Sequence, residues 1–131
     1  MKTAFINGCF EILTLGHLRL IYMASAFGEV IIGLNSDEYI VRKKGREPFV
    51  PLWERFSLLN GFKCIQRVVP FWEDTPVELI KIIKPDVIVK GGDYRDIDFP
   101  EKHLGIPIFY GDKTHSSSDV IKRIINSHGG K

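Results

Sequence analysis

The stretch Ala4-Phe5-Ile6-Asn7-Gly8-Cys9-Phe10-Glu11-Ile12-Leu13-Thr14-Leu15-Gly16-His17 decides the fold. It opens on a short apolar run that suits a buried strand and passes through a glycine into a helical pattern. Residues 18–27 are apolar on nearly every side, which predicts a buried crossover helix, and Gly28 follows as a residue suited to a left-handed C-cap. Outward from this unit, short β-rich runs recur at residues 30–34, 65–69, 87–89 and 106–109, alternating with helical patterns. Continuous apolar strands separated by helices are the sequence form of a parallel sheet covered on its faces. The expected architecture is α/β: a Rossmann-like single domain over residues 1–131, with a largely parallel five-stranded sheet flanked by helices.

The intervening helices have legible limits. Leu52, Phe56, Leu59 and Phe62 recur at three- and four-residue steps and predict a helix over residues 53–62 with Gly61 near its end. Pro76 suits a first helical turn, and Val77, Leu79, Ile80, Ile82 and Ile83 carry a helix that stops before Pro85-Asp86. The last helix is expected to start near Ser118 or Asp119, with residues 127–131 as a mobile tail. Trp53 and Trp72 lie beside predicted helices and are expected to be packing residues.

With 131 residues, 44% hydrophobic and 26% charged, the chain has the composition of one ordinary globular domain. No apolar run reaches the roughly 18 residues a spanning helix requires. Residues 1–8 are too short an apolar segment for a secretory signal, so a cytoplasmic location is expected. The two cysteines, Cys9 and Cys64, lack metal-knuckle spacing and are expected as reduced thiols. A net charge of +2 is too small to argue for nucleic acid, and no nucleic-acid partner is expected, although Arg42-Lys43-Lys44-Gly45-Arg46 could hold a compact anion. The plainer reading of that cluster is a solvated loop.

In an open parallel sheet, ligands bind beyond the carboxyl ends of the strands, where strand order reverses. Residues 8–17 are therefore the candidate site. Gly8 and Gly16 allow close backbone approach, and the helix starting near His17 turns free N–H groups and a positive dipole end toward a ligand. A phosphate is stabilised by such a terminus. His17 at that position can donate a charged hydrogen bond to its oxygens.

Gly8-Cys9-Phe10 followed by Thr14-Leu15-Gly16-His17 resembles the opening of the cytidylyltransferase-like nucleotidyltransferases, whose signature is HxGH. The likeness continues in order through Asn35-Ser36-Asp37, Lys44-Gly45, Glu54-Arg55, Glu73-Asp74-Thr75-Pro76, Lys84-Pro85-Asp86-Val87, Lys90-Gly91-Gly92-Asp93-Tyr94 and Ser116-Ser117-Ser118-Asp119. Within the family, the Glu-Asp-Thr-Pro and Lys-Gly-Gly-Asp-Tyr segments look most like the heptose 1-phosphate adenylyltransferase domain, and more distantly like glycerol-3-phosphate cytidylyltransferase. Enzymes of the heptose group often carry a sugar-kinase domain as well, for which 131 residues leave no room.

The resemblance implies transfer of a nucleotidyl group from ATP, or CTP as runner-up, to a phosphorylated sugar or polyol, with release of pyrophosphate by direct attack. It implies catalytic roles for His17, Lys44 and Thr14. Lys44, aided by Lys43, would reach the phosphates from a flexible loop. Nucleotide contacts are implied for Gly8, Cys9, Phe10, Gly16, Lys90, Gly91, Asp93, Ser116, Ser117 and Ser118. Magnesium is expected to arrive with the triphosphate, since the sequence has no cluster at metal-ligand spacing. A homodimer is implied, with Glu54-Arg55 resembling a segment near the subunit contact.

Two residues depart from the family pattern. Thr14 stands where most members have the first histidine, and Glu11 where they have aspartate. The non-enzyme alternative is a nucleotide-binding module of the same fold with weakened catalysis, favoured by Thr14 and opposed by His17, Lys44 and Asp93. A dehydrogenase reading is weaker, because the first turn lacks GxGxxG.

Overall fold

The computed structural model describes residues 2–112 and 117–129, the side chains of 117–119 and 128–129 excepted. In chain order the elements are β1 (Thr3–Gly8), α1 (Leu15–Phe27), β2 (Glu29–Asn35), α2 (Asp37–Lys44), α3 (Leu52–Asn60), β3 (Ile65–Phe71), α4 (Val77–Ile83), β4 (Val87–Lys90), β5 (Ile108–Tyr110) and α5 (Ser117–Gly129). Short 3₁₀ turns occupy Gly92–Tyr94 and Pro100–His103. Among the described residues five strands form one sheet in the order β3-β2-β1-β4-β5, and each neighbouring pair is parallel. The expected α/β, Rossmann-like architecture is observed.

The side-chain alternation of the strands divides the core. Ala4 and Ile6 of β1 and Val30, Ile32 and Leu34 of β2 face Ile21 and Ala24 of α1 and Leu59 of α3. Phe5, Ile31 and Ile88 point the other way, against Ile80 of α4. Strands buried on both faces need apolar residues at successive positions, which is why β2 reads as an unbroken run. Chain order runs outward from β1 in both directions, to β2 and β3 on one side and to β4 and β5 on the other. The ends of β1 and β4 therefore border the point where strand order reverses.

Several local expectations are corrected. Gly28 is extended, at φ 166°, rather than left-handed. Glycine is required there by crowding, since a Cβ would stand 2.3 Å from the Lys2 carbonyl oxygen. The basic segment is the end of a helix, not a loop: Ser36 Oγ caps α2 by accepting from Tyr39 N–H at 3.1 Å, and Gly45 closes it at φ 69°. Asp37 and Glu38 in its first turn and Arg42, Lys43 and Lys44 in its last complement the helix dipole. Trp53 and Trp72 are not packing residues; they are 69% and 51% exposed, and Trp72 Nε1–H donates to Glu38. Helix α5 runs to Gly129 and so takes in residues 127–129 of the segment expected as a tail.

Candidate active site

A cleft of about 530 Å³ opens beyond the carboxyl ends of β1, β2 and β4, lined among others by Gly8, Cys9, Phe10, His17, Lys44 and Lys90. Gly91 and Asp93 also line it, together with Asn35, Tyr39, Lys43 and Tyr94. Most of the site residues expected from the sequence therefore meet in one place. Thr14 and Gly16 are at the start of α1 and do not line the cleft. Ser116 lies outside the described residues. Ser117 and Ser118 begin α5, and their side chains lie outside the described set.

The loop from β1 to α1 is shaped by Phe10, which adopts φ 50°, a left-handed conformation costly for a residue with a Cβ. Its ring is buried and folds back toward Gly8, where a Cβ would come 3.0 Å from the Phe10 edge. The same ring lies 5.2 Å from the His17 ring, centroid to centroid. Gly8 thus makes room for an internal aromatic side chain beside the cleft.

Thr14 and His17 form a reciprocal cap on α1. Thr14 Oγ1 accepts from the His17 N–H at 3.3 Å, and the Thr14 N–H donates to His17 Nδ1 at 3.0 Å. Because Nδ1 accepts, a neutral His17 carries its proton on Nε2. Burial lowers the His17 pKa below the ordinary histidine value, which favours the neutral ring. In its neutral form His17 is an Nε2–H donor whose tautomer is set by the Thr14 amide. Thr14 acts here through the orientation of His17.

Glu11 is the centre of the cationic wall. Its side chain is fully buried, and Lys44 Nζ and Arg46 Nη2 donate to Oε1 at 2.9 Å each. Arg46 Nη1 and the Phe49 N–H donate to Oε2, each at 3.0 Å. Burial by itself raises the Glu11 carboxyl, but the hydrogen bonds from Arg46, Lys44 and Phe49 outweigh it and hold the pKa at about 2. Lys44 is therefore not a freely waving lysine. It is held at the end of α2 by a buried carboxylate in the loop that leads from β1.

Arg55, one turn into α3, is the largest fully buried side chain among the described residues. It donates to the carbonyls of Val50 at 2.8 Å, Cys9 at 2.9 Å and Asn35 at 2.7 Å, and to Asp37 Oδ1 at 2.6 Å. One guanidinium thereby ties the ends of β1 and β2 to the first turn of α2. Arg55 is thus held inside the chain, while its neighbours Trp53 and Leu58 on α3 are exposed.

Lys90, the last residue of β4, is turned into the wall. Its ammonium donates to Asn7 Oδ1 at 2.9 Å and to Glu101 Oε2 at 2.6 Å, and it lies 4.9 Å from the ring centroids of both Tyr94 and Phe99. Burial depresses its pKa, and the Glu101 carboxylate opposes that fall. Glu101 carries no signal in the sequence, and Arg46 and Arg55 stand out there only as part of the basic cluster and of the Glu54-Arg55 segment, not as partners of Glu11 and of the strand ends. The run of cations in residues 42–46 gives no sign of which of them find carboxylates. Among the described residues, no group of three or more His, Cys, Asp and Glu side chains could hold a metal ion. None of the described helices is long and apolar enough to cross a membrane.

Two bifunctional HldE proteins are similar to this chain: that of Helicobacter hepaticus is 45% identical over 130 residues, and that of Helicobacter pylori strain J99 is 39% identical over 131 residues. The matches cover 96% and 97% of this chain but only 27% and 28% of those proteins. The chain thus spans about a quarter of the length of these relatives. The fold is also that of a lipopolysaccharide core biosynthesis protein from Thermoplasma volcanium, with a TM-score of 0.68 at 24% identity over 87% of this chain and 97% of that one. Pantoate-beta-alanine ligase from Francisella tularensis, solved with beta-gamma ATP and beta-alanine, shares it with a TM-score of 0.62 at 14% identity over 89% of this chain and 61% of that one. The cytidylyltransferase-like family model matches residues 5–123, and with the cleft geometry this establishes that the chain belongs to the cytidylyltransferase-like nucleotidyltransferases.

Proposed function

We propose that the chain transfers a nucleotidyl group from a nucleoside triphosphate to a phosphorylated sugar, with ATP as the preferred donor, CTP as the second, and heptose 1-phosphate as the acceptor type. The observation that carries this reading is the pairing of a fixed Nε2–H donor on His17 with Lys44 in a cleft at the reversal point of the sheet. An acceptor phosphate oxygen attacks the α-phosphorus in line, a new P–O bond forms, and the bond to the bridging oxygen breaks so that pyrophosphate leaves. Such a reaction needs positioning and charge stabilisation rather than a covalent intermediate. His17 donates to the reacting phosphate oxygens. Lys44 exchanges its Glu11 partner for phosphate as the triphosphate enters. Gly91 gives backbone access on the β4 side, where Asp93 accepts from sugar or base.

Magnesium enters as part of the nucleotide substrate. The lining supports this: lysines and a histidine face one carboxylate, Asp93, a set suited to an anion that brings its own counterion. Activity should disappear in excess chelator. A homodimer is supported by exposed Leu15 and Tyr22 on α1 and Trp53 and Leu58 on α3, two helices that cover the same face of the sheet. A light-scattering mass of 15.0 kDa, that of the single chain, contradicts it. A cytoplasmic setting, where nucleoside triphosphates are available, is part of the same proposal.

The test is pyrophosphate release from ATP or CTP with magnesium and a panel of sugar and polyol phosphates. Release that depends on a sugar 1-phosphate supports the proposal. Tight nucleotide binding without release from any pair favours the binding-module reading instead.

A further inference from the structure

The cleft is polarised along the sheet. On the β2 side it is lined by Lys43, which pairs with exposed Asp74 at 3.4 Å, and by Lys44, which shares the Glu11 carboxylate with Arg46. On the β4 side its charged lining is Lys90 and Asp93, and the Lys90 ammonium is already matched by Glu101, whose side chain is 3% exposed. Lys90 is matched one to one by its carboxylate and keeps little attraction for a second anion, whereas Lys44 and Arg46 share the single Glu11 carboxylate and keep a net positive charge that a phosphate can take up. Two of the three N–H donors of Lys90 go to Asn7 and Glu101, leaving capacity for one more contact. Tyr94 lines the same side, packed edge to face against Phe99 at 5.8 Å, and offers a flat apolar surface.

We infer that Glu101 is a specificity-determining residue: by cancelling the charge of Lys90, it makes the β4 half of the cleft a reader of sugar hydroxyl groups and keeps a second phosphate out of it. A hydroxyl both accepts and donates, so it can take the remaining Lys90 N–H and donate to a neighbouring carboxylate. A phosphate near neutral pH mainly accepts and is repelled by Glu101 and Asp93. The inference rests on the nucleotidyltransferase reading. The hydroxyls belong to the nucleotide ribose or to the acceptor sugar, and two ligand pairs distinguish these sources.

Isothermal titration of the full chain compares ATP with 2′,3′-dideoxy-ATP, and a hexose 1-phosphate with methyl phosphate. In the parent, the hydroxyl-bearing member of one pair should bind about tenfold tighter, as expected for a hydrogen bond to a charged group. Glu101→Gln keeps the side-chain shape and leaves the Lys90 charge unmatched. That preference should then fall to within about twofold, while methyl phosphate binds about fivefold tighter. The double variant Lys90→Met/Glu101→Met replaces the buried pair with apolar side chains, a change that proteins often tolerate, and carries the test if Glu101→Gln does not fold. It should lose the hydroxyl preference without gaining methyl phosphate affinity. An unchanged preference in a folded variant, or equal weakening of all four ligands, overturns the inference. Parental binding of ATP with no preference in either pair overturns it too and leaves the transferase reading intact. Failure of the parent to bind any of the four ligands overturns that reading itself.

Discussion

Replacing Glu11 by glutamine tests whether the cationic wall is organised from within. The carboxylate receives four hydrogen bonds from three residues, and in the folded chain its pKa is about 2. An ordinary glutamate titrates near 4.3, and a fall to about 2 corresponds to at most about 3 kcal/mol. Lys44 and Arg46 are 26% and 29% exposed, so solvent screens part of that attraction. About 1–2 kcal/mol should survive. The sign follows from the direction of the shift. A lowered carboxylate pKa stabilises the fold above the unfolded value, and the contribution is lost as pH falls from about 4.3 toward 2. Urea unfolding of parent and Glu11→Gln at one protein concentration should show the variant weaker by about 1–2 kcal/mol at pH 7, with the gap closing progressively below pH 4.3. A gap of the same size at pH 7 and pH 2.5 refutes the reasoning, because it makes the loss one of packing rather than of charge.

Three further substitutions probe the scaffold. Arg55→Lys cannot reach the carbonyls of Cys9, Asn35 and Val50 together with Asp37, and should destabilise by about 3–5 kcal/mol in chemical denaturation, as breaking a buried charged network does. Gly28→Ala puts a Cβ 2.3 Å from the Lys2 carbonyl oxygen, and should cost about 1–3 kcal/mol by the same assay. Thr14→Ala removes the side-chain cap on α1 and should cost about 0.5–2 kcal/mol. It should also lower turnover, though by less than loss of His17, because the Thr14 backbone N–H still fixes the ring; turnover equal to or below that of His17→Ala contradicts this.

The sheet was legible because its strands are apolar at consecutive positions, and the loop of residues 8–17 because strand order predicts where ligands bind. Helix α2 was readable in principle, since Ser36, Asp37-Glu38 and Gly45 are ordinary start and stop signals. The run Arg42-Lys43-Lys44 drew the reading toward a loop instead. Gly28 was assigned to the right boundary for the wrong reason, because a close approach of two backbones leaves the same residue as a left-handed turn. The charge partners were not legible. Glu11 lies 33 residues from Lys44 along the chain, and Glu101 lies 11 from Lys90. Such pairings depend on how the ends of separate strands meet, which single-sequence periodicity does not encode. The lowered pKa of His17 likewise comes from burial and its tautomer from the Thr14 amide, neither visible in the signature.

The proposed action of His17 on the reacting phosphates is tested by the turnover of His17→Ala per folded molecule. ³¹P NMR of ATP, magnesium and heptose 1-phosphate should show the parent forming a pyrophosphate-linked nucleotide sugar and free pyrophosphate. The variant loses the ring's bond to the Thr14 amide, so a stability loss of about 1 kcal/mol is expected as well. Corrected for folded fraction, its rate should fall by about a hundredfold to a thousandfold, the loss that follows removal of a preorganised donor. A variant that is less stable yet turns over at the parental rate per folded molecule makes His17 a helix cap alone and contradicts the account.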